Sequence, residues 1–292
     1  MSLFPSDFLT RVEYLSIISR RVFRGSLLAQ RRTMQLGSGI EFSDHREYAA
    51  GDDFRYLDWN IYARHGDLLL KRFQEEQDLH VYLLLDCSRS MAFGDGRKFD
   101  LARQLIAAIA YIALADLDRI SVMAFTDGVV DEFPLTRGKA RILQLMTFLE
   151  RLESGGQETD VGGAVQGLLH RGSRRGMAVL VSDLFDPKGF QRGLDQLRHR
   201  RFDAHVLQLY REEEADPGLL GDVELVDIEN DSIRKVTVTE RNLRSYKDLF
   251  TAYQSSIREY CRNYGLGCTQ AEAGVPFDEL ILQMMRASQV QR

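Results

Sequence analysis

Apolar residues along this chain follow two different periods. From residue 79 onward, short runs that are apolar at nearly every position are followed by longer segments with apolar residues every three or four positions. The first kind reads as strands buried on both faces, the second as helices with one buried stripe. Strands are predicted over 81–85 (VYLLL), 119–125 (RISVMAF), 177–181 (MAVLV) and 204–209 (AHVLQL). Helices are predicted over 99–117, 139–152, 161–170 and 190–199. Asp127-Gly128 marks a turn into a further strand over 129–133, so a hairpin is expected there. Strands and helices in alternation predict an α/β fold with a mostly parallel sheet flanked by helices. Ligands of such folds sit beyond the carboxyl ends of the strands.

The flanking segments differ in pattern. Pro5-Ser6-Asp7 reads as a helix start, and Phe8, Leu9, Val12, Leu15, Val22 and Phe23 follow at near-helical spacing. Arg20, Arg21, Arg24, Arg31 and Arg32 make this arm basic. The simple expectation is a helix packed on the main domain with a solvated basic face; peripheral contact with a membrane surface or an acidic partner is the alternative. A glycine-bearing break over 36–39 precedes a dense polar and aromatic block over 41–78. Its Arg46, Tyr48, Asp52, Asp53, Arg55, Asp58, Trp59 and Arg64 suggest a networked, partner-binding surface, or else a clasp holding the arm. Leu68-Leu69-Leu70 reads as a short strand leading toward the core. The division expected is 1–78 as helix plus extension and 79–292 as the main domain. At the other end, 211–231 carries nine acids and one base and reads as a solvated acidic surface. Strands over 223–228 and 233–238 are expected to form a hairpin. A helix over 243–264 places Tyr246, Leu249, Phe250, Tyr253, Ile257 and Tyr260 as core contacts, before a strand over 265–269 and a helix over 277–285.

Composition narrows the class. A net charge of −5 with scattered basic residues disfavours nucleic acid as a partner. No run approaches about 18 uninterrupted apolar residues, and the first residues lack a signal-peptide layout. Cys87, Cys261 and Cys268 have no metal-like or disulfide-like spacing, so a reduced, cytoplasmic compartment is expected.

Chemistry concentrates where the 81–85 strand ends. Asp86, Ser88 and Ser90 follow it at alternate positions, a carboxylate and two hydroxyls on one turn. Oxygen-only donors suit a hard cation such as Mg²⁺ or Mn²⁺. Thr159 in the glycine-bearing loop over 154–160 and Asp183 after the 177–181 strand lie ready to join them. The plainer alternative is that Ser88 or Ser90 caps a following helix. Cys87 is expected to be buried.

These five positions, in this order and context, resemble the metal-ion-dependent adhesion site of von Willebrand factor A-type domains. The resemblance implies a von Willebrand A-like, Rossmann-type fold with an N-terminal helical arm and extension. It implies that Ser88, Ser90 and Thr159 touch the cation, that Asp86 and Asp183 hold it through water, and that one position stays open for a partner carboxylate. A second resemblance covers most of the chain. Arg46-Glu47-Tyr48, Gly51-Asp52-Asp53, Arg55, Asp58-Trp59, Ala63-Arg64, the DCSRSM run and Asp227-Ile228-Glu229 are similar to the bacterial domain-of-unknown-function family 58. Members are typically encoded beside MoxR-type AAA+ ATPases. That implies a non-enzymatic adaptor or co-chaperone engaging the ATPase, or an unknown client, through the metal.

Two other functions compete. One is a Mg²⁺-dependent hydrolase or phosphotransferase using Asp86. Against it, Asp86 is followed by serines rather than a second acid, and no phosphate-cradling Gly-Lys-Ser/Thr occurs. The other is a metal-independent scaffold whose useful surface is the 41–78 block.

Overall fold

In the computed structural model, which describes residues 3–23, 32–35, 41–76, 79–155, 158–228 and 232–290, the chain forms two compact units. One comprises Met1–Ser19 with His80–Arg292, the other Arg20–Leu79. Helix α1 (Phe8–Phe23) begins in the larger unit. There Phe8, Val12 and Leu15 are buried, as their spacing predicts. The side chains of Arg20 and Arg21, together with Arg24, Arg31, the 36–39 break and Glu229, lie outside the described residues.

The smaller unit holds strands β1 (Arg32–Gln35), β2 (Glu41–Glu47) and β3 (Leu69–Glu76) and helix α2 (Trp59–His65). Its sheet has the order β1-β3-β2 and is antiparallel throughout. The triple leucine opens the middle strand of this sheet, the strand its sequence predicts. Leu70 and Leu57 form that sheet's buried bridge. Local polarity hid this sheet, because Arg, Asp and Glu are dense along its strands.

The larger unit runs β4 (His80–Asp86), α3 (Arg97–Ala115), β5 (Arg119–Phe125), β6 (Val129–Arg137), α4 (Ile142–Arg151), α5 (Val161–His170), β7 (Met177–Ser182), α6 (Gln191–His199) and β8 (Asp203–Tyr210). There follow α7 (Glu212–Ala215), β9 (Gly221–Val226), β10 (Ile233–Val238), α8 (Glu240–Asn263), β11 (Gly267–Glu272) and α9 (Phe277–Val290). The expected strands and helices of the main domain are all present. Six strands form one sheet in the order β11-β8-β7-β4-β5-β6, parallel except for the β5–β6 hairpin. Central strands are buried on both faces, which is why their sequences read as apolar runs. Tyr82 and Leu84 of β4 join Val165 and Leu168 of α5, Leu194 and Leu197 of α6, and Ile257 of α8 in one core. On α1, Phe8 packs on Phe277 of α9 with ring centroids 4.8 Å apart, and Arg11 pairs with Asp278.

Two expectations change. Along α8, Phe250 and Ile257 are buried, but Leu249 is 70% exposed and Tyr246 is also largely exposed. Its apolar positions exceed what one buried stripe needs. Among the described residues, the acids of the 211–231 stretch are exposed except Glu214, whose side chain is 10% exposed. Hairpin β9–β10 forms as expected, as a separate two-stranded sheet. Among the described residues, no helix is long and apolar enough to cross a membrane.

The edge strand β11 is locked to β8 by a buried histidine. His205 Nε2 lies 3.0 Å from Thr269 Oγ1. A Cβ at its register partner Gly267 would lie 2.1 Å from His205 Nδ1, so the imidazole occupies this place only because Gly267 has no side chain. Burial pushes the imidazole from 6.5 down to about 4. The unfolded chain binds this proton near pH 6.5 and the folded chain does not, so stability is full above 6.5 and is lost as pH falls toward 4. The window corresponds to about 3 kcal/mol. Urea denaturation across it should show His205→Gln with a flatter pH dependence than the wild type.

Candidate functional site

Strand order decides where chemistry gathers. After β4 the chain crosses to β5 on one side, and it later returns to β7 on the other. Neighbouring loops therefore diverge at the carboxyl ends of β4 and β7, leaving a crevice of the kind in which α/β folds bind ligands. Asp86 ends β4, and Ser182 ends β7 with Asp183 directly after it.

Each loop is fixed by its own backbone bonds. Ser88 N–H donates to Asp86 Oδ1 at 2.9 Å, and Phe185 N–H donates to Asp183 Oδ1 at 3.1 Å. Both are aspartates closing a turn two residues on. Cys87 N–H donates to Phe125 O at 2.8 Å, and Gly155 N–H donates to Cys87 O at 2.8 Å, which brings the glycine-bearing loop onto the motif. Asp160 then caps α5 by accepting from Gly163 N–H at 2.7 Å. Cys87 itself is buried, with its thiol donating to Leu85 O.

The five predicted oxygens come together. Asp86, Ser88, Ser90, Thr159 and Asp183 are all buried. Ser88 Oγ lies 3.0 Å from Ser90 Oγ, and Thr159 Oγ1 donates to Asp86 Oδ2 at 3.4 Å. Ser88 precedes a 3₁₀ turn (Arg89–Ala92) but makes no side-chain cap bond, and α3 starts from Gly96. The hydroxyls face one another instead of the helix.

Three further residues complete the cluster. Ser182 Oγ donates to Asp86 Oδ2 at 2.5 Å. Lys98, on the first turn of α3, has no exposure at all and donates to Asp183 Oδ2 at 2.8 Å and Glu214 Oε1 at 2.6 Å. Sequence reasoning missed Lys98 because a basic residue in GDGRKFD reads as solvated, and it missed Glu214 inside an acidic run. Ser182 stood beside a predicted ligand, and its alternation along β7 was the available signal.

The charges are unequal. Burial and the nearby Asp183 push Asp86 up to about 7, against the hydrogen bonds from Ser182 and Ser88. Burial presses the Lys98 ammonium down, but Asp183 and Glu214 together hold it above its ordinary value. Burial raises Glu214 despite the pull of Lys98. Two acids thus share one base, while Asp86 lies beside Asp183 and, among the described residues, makes no ion pair. Donor chemistry fits a hard divalent ion: every free lone pair here belongs to a hydroxyl or carboxylate oxygen. Both oxygens of Asp86 and of Asp183 already accept hydrogen bonds, which suits contact through water. Clusters of three or more His, Cys, Asp and Glu arranged as metal ligands are absent among the described residues.

The other eight predicted residues lie in the smaller unit. Arg46 donates to Asp52 at 2.6 Å, and Asp52 also accepts from Ala49 N–H. Asp53 pairs with Arg55 at 2.6 Å. Asp58 caps α2 through Asn60 and Ile61 N–H and meets His45 Nε2 at 3.0 Å, a bond that holds its carboxyl below the usual range. Its acids therefore close turns, while Trp59 (58% exposed), Tyr62, Phe54, Arg55 and Arg64 face solvent. Tyr48 and Phe54 stack with centroids 5.4 Å apart.

Residues 44–256 match the family model described as "Protein of unknown function DUF58". The uncharacterised protein Rv1480 of Mycobacterium tuberculosis (strain ATCC 25618 / H37Rv) is 26% identical over 235 residues, covering 78% of this chain and 73% of that protein. An uncharacterised protein of Mycobacterium bovis, Mb1516, shows the same identity and coverage. Among solved structures, the conserved hypothetical protein BatB from Bacteroides thetaiotaomicron superposes with a TM-score of 0.46 at 13% identity, over 73% of this chain and 98% of that one. An aerotolerance-related membrane protein from Bacteroides fragilis NCTC 9343 gives a TM-score of 0.47 at 15% identity, over 73% and 99%.

Removing one partner of a buried pair strands the other, so Lys98→Met should cost about 3–5 kcal/mol. The double variant Lys98→Met/Asp183→Asn should recover part of that loss. Chemical denaturation of the three proteins in the presence of chelator measures both.

Proposed function

The chain belongs to the DUF58 family of proteins of unknown function, and from its buried oxygen cluster we propose that it is a non-enzymatic, metal-dependent protein-binding module. The observation carrying this reading is the buried oxygen cluster: Asp183 and Glu214 share Lys98, while Asp86, beside Asp183, is held by the hydroxyls of Thr159 and Ser182 and, among the described residues, makes no ion pair. Ser88, Ser90 and Thr159 would hold Mg²⁺ or Mn²⁺, with Asp86 and Asp183 behind water, as in a von Willebrand A-like adhesion site. The bound ion supplies a coordination position that a partner carboxylate can fill. Ser182 and Ser88 N–H keep the Asp86 carboxylate oriented, and Lys98 keeps Asp183 in place. Full burial and three hydrogen bonds suit Asp86 to a positioning role better than to nucleophilic attack.

The partner we propose is a MoxR-type AAA+ ATPase in the cytoplasm, with the open position taken by a carboxylate of the ATPase or of its client. A second reading rests on the smaller unit, where exposed Trp59, Phe54 and Arg55 are residue types that anchor protein interfaces without a metal.

Isothermal titration with Mg²⁺ tests the first link: Asp86→Ala should lower affinity by about ten- to a hundredfold. A pull-down from lysate of the source organism, run with Mg²⁺, with chelator and with Asp86→Ala, tests the second. An AAA+ ATPase recovered only in the first arm supports the metal-dependent module. The same ATPase in all three arms, lost in Trp59→Ala, transfers the function to the smaller unit.

A further inference from the structure

Helices α5 and α6 lie side by side on one face of the main sheet, and a groove of about 360 Å³ opens between them. Both start at the carboxyl end of the sheet and run away from the oxygen cluster. Their first turns touch, since a Cβ at Gly193 would lie 2.8 Å from Val161 O. Val165, Leu168, Leu194 and Leu197 turn inward to the core. Gln166 and His170 of α5 line the groove from one side, and Arg192, Gln196 and Arg200 from the other. These positions recur every three to four residues, so each helix gives the groove one polar face. A volume of this size suits a small molecule.

The charge of this groove has one sign. No acidic side chain lines it. Among the described residues, neither the Arg192 nor the Arg200 guanidinium makes an ion pair or a hydrogen bond. The acid near Arg192, Asp160, already pairs with Lys188 at 2.8 Å, and Asp195 of α6 is taken by Arg198 and Tyr260. A cation after the last turn of a helix is favoured by the helix dipole, which accounts for Arg200. It does not account for Arg192, the second residue of α6, where the dipole opposes a cation. The turns that follow the two helices add exposed Arg174, Arg175 and Arg201, with one acid, Asp203, beside them. Asp203 N–H donates to Gly176 O at 2.9 Å, which holds those turns together. Gln196 Oε1 is buried without a hydrogen-bond partner among the described residues, so the groove also holds an acceptor in need of a donor.

We propose that the groove between α5 and α6 is a binding site for a small polyol carrying a phosphate near each end, the chemistry of a sugar bisphosphate. A guanidinium fork matches phosphate oxygens with two parallel N–H bonds. Arg192 and Arg200 are eight residues apart, about 12 Å along the helix axis, so they meet two separated phosphates better than two linked ones. The hydroxyls between the phosphates supply the donor that Gln196 Oε1 lacks. The surrounding arginines raise the local concentration of such an anion.

Isothermal titration of the full chain tests this, with fructose 1,6-bisphosphate, fructose 6-phosphate, pyrophosphate and orthophosphate as probes. Chelator keeps the oxygen cluster out of the measurement, and about 0.15 M salt screens charges beyond about 8 Å. The bisphosphate should bind one to one and at least about tenfold tighter than each of the other three. Arg192→Gln and Arg200→Gln should each weaken it at least about tenfold. Gln196→Leu should weaken the bisphosphate and leave pyrophosphate unchanged. Arg151 and Arg241 are exposed on other helices, and the double variant Arg151→Gln/Arg241→Gln should bind as the wild type does. Circular dichroism of each variant confirms that it is folded. Three results would overturn the proposal: no bisphosphate binding tighter than about 1 mM, pyrophosphate or orthophosphate binding as tightly as the bisphosphate, or an equal loss in the Arg151→Gln/Arg241→Gln control.

Discussion

A lysine ammonium sealed from solvent sets the geometry of one end of the main sheet. Taking Lys98 out of water is costly, and it is tolerable only with carboxylates at hydrogen-bond distance. Asp183 and Glu214 provide them, at 2.8 and 2.6 Å. Helix α3, the loop after β7 and the short helix α7 therefore cannot move independently. Arg211 extends the constraint: its backbone N–H donates to the second oxygen of Glu214, and its guanidinium spans Glu213 and Asp95. The oxygen cluster inherits this rigidity, because Asp183 is one of its members.

Backbone conformation at the site is also costly. Leu184 has φ of 65°, a left-handed conformation that disfavours a branched residue. It persists because its N–H bonds Ser182 Oγ at 2.8 Å, its carbonyl accepts from Tyr253, and its side chain is fully buried. The strained residue sits between Asp183 and Phe185, whose N–H donates to Asp183 Oδ1. Near the same loops, Arg89 of the serine motif reaches Ile228 O at 3.4 Å, at the end of hairpin β9–β10. That hairpin exposes Val226 and Ile233, directly paired across its two strands. An isolated two-stranded hairpin gains little stability of its own in water, and its tie to the motif loop helps to hold it.

The smaller unit solves a different problem. It is built on a three-stranded antiparallel sheet and on aspartates that close turns: Asp52 to Ala49, Asp53 to Arg55, and Asp58 to the start of α2. Satisfying those backbone donors leaves the large aromatics Trp59, Phe54 and Tyr62 outside.

Hydrophobic period was enough to read the elements of the larger unit, because burial on both faces of a parallel sheet leaves an unbroken apolar run in each strand. Asp86 and Asp183 stood out for the same reason, since the ends of those runs mark where loops face the crevice; Ser88 and Ser90 follow Asp86 at alternate positions, and Thr159, in a loop between two helices, joined them through the resemblance to the adhesion-site motif. The antiparallel sheet of the smaller unit was not legible, since its strands carry charges at about half of their positions, and neither was the exposure of Leu249 on an apolar-rich helix. Nor were Lys98 and Glu214, which lie 85 and 116 residues from their partners in the triad. A sequence records how much of each segment is buried through its local period. Which buried charge meets which is decided only when the sheet order brings distant loops together, since charge pairing depends on distance in space and leaves no periodic trace along the chain.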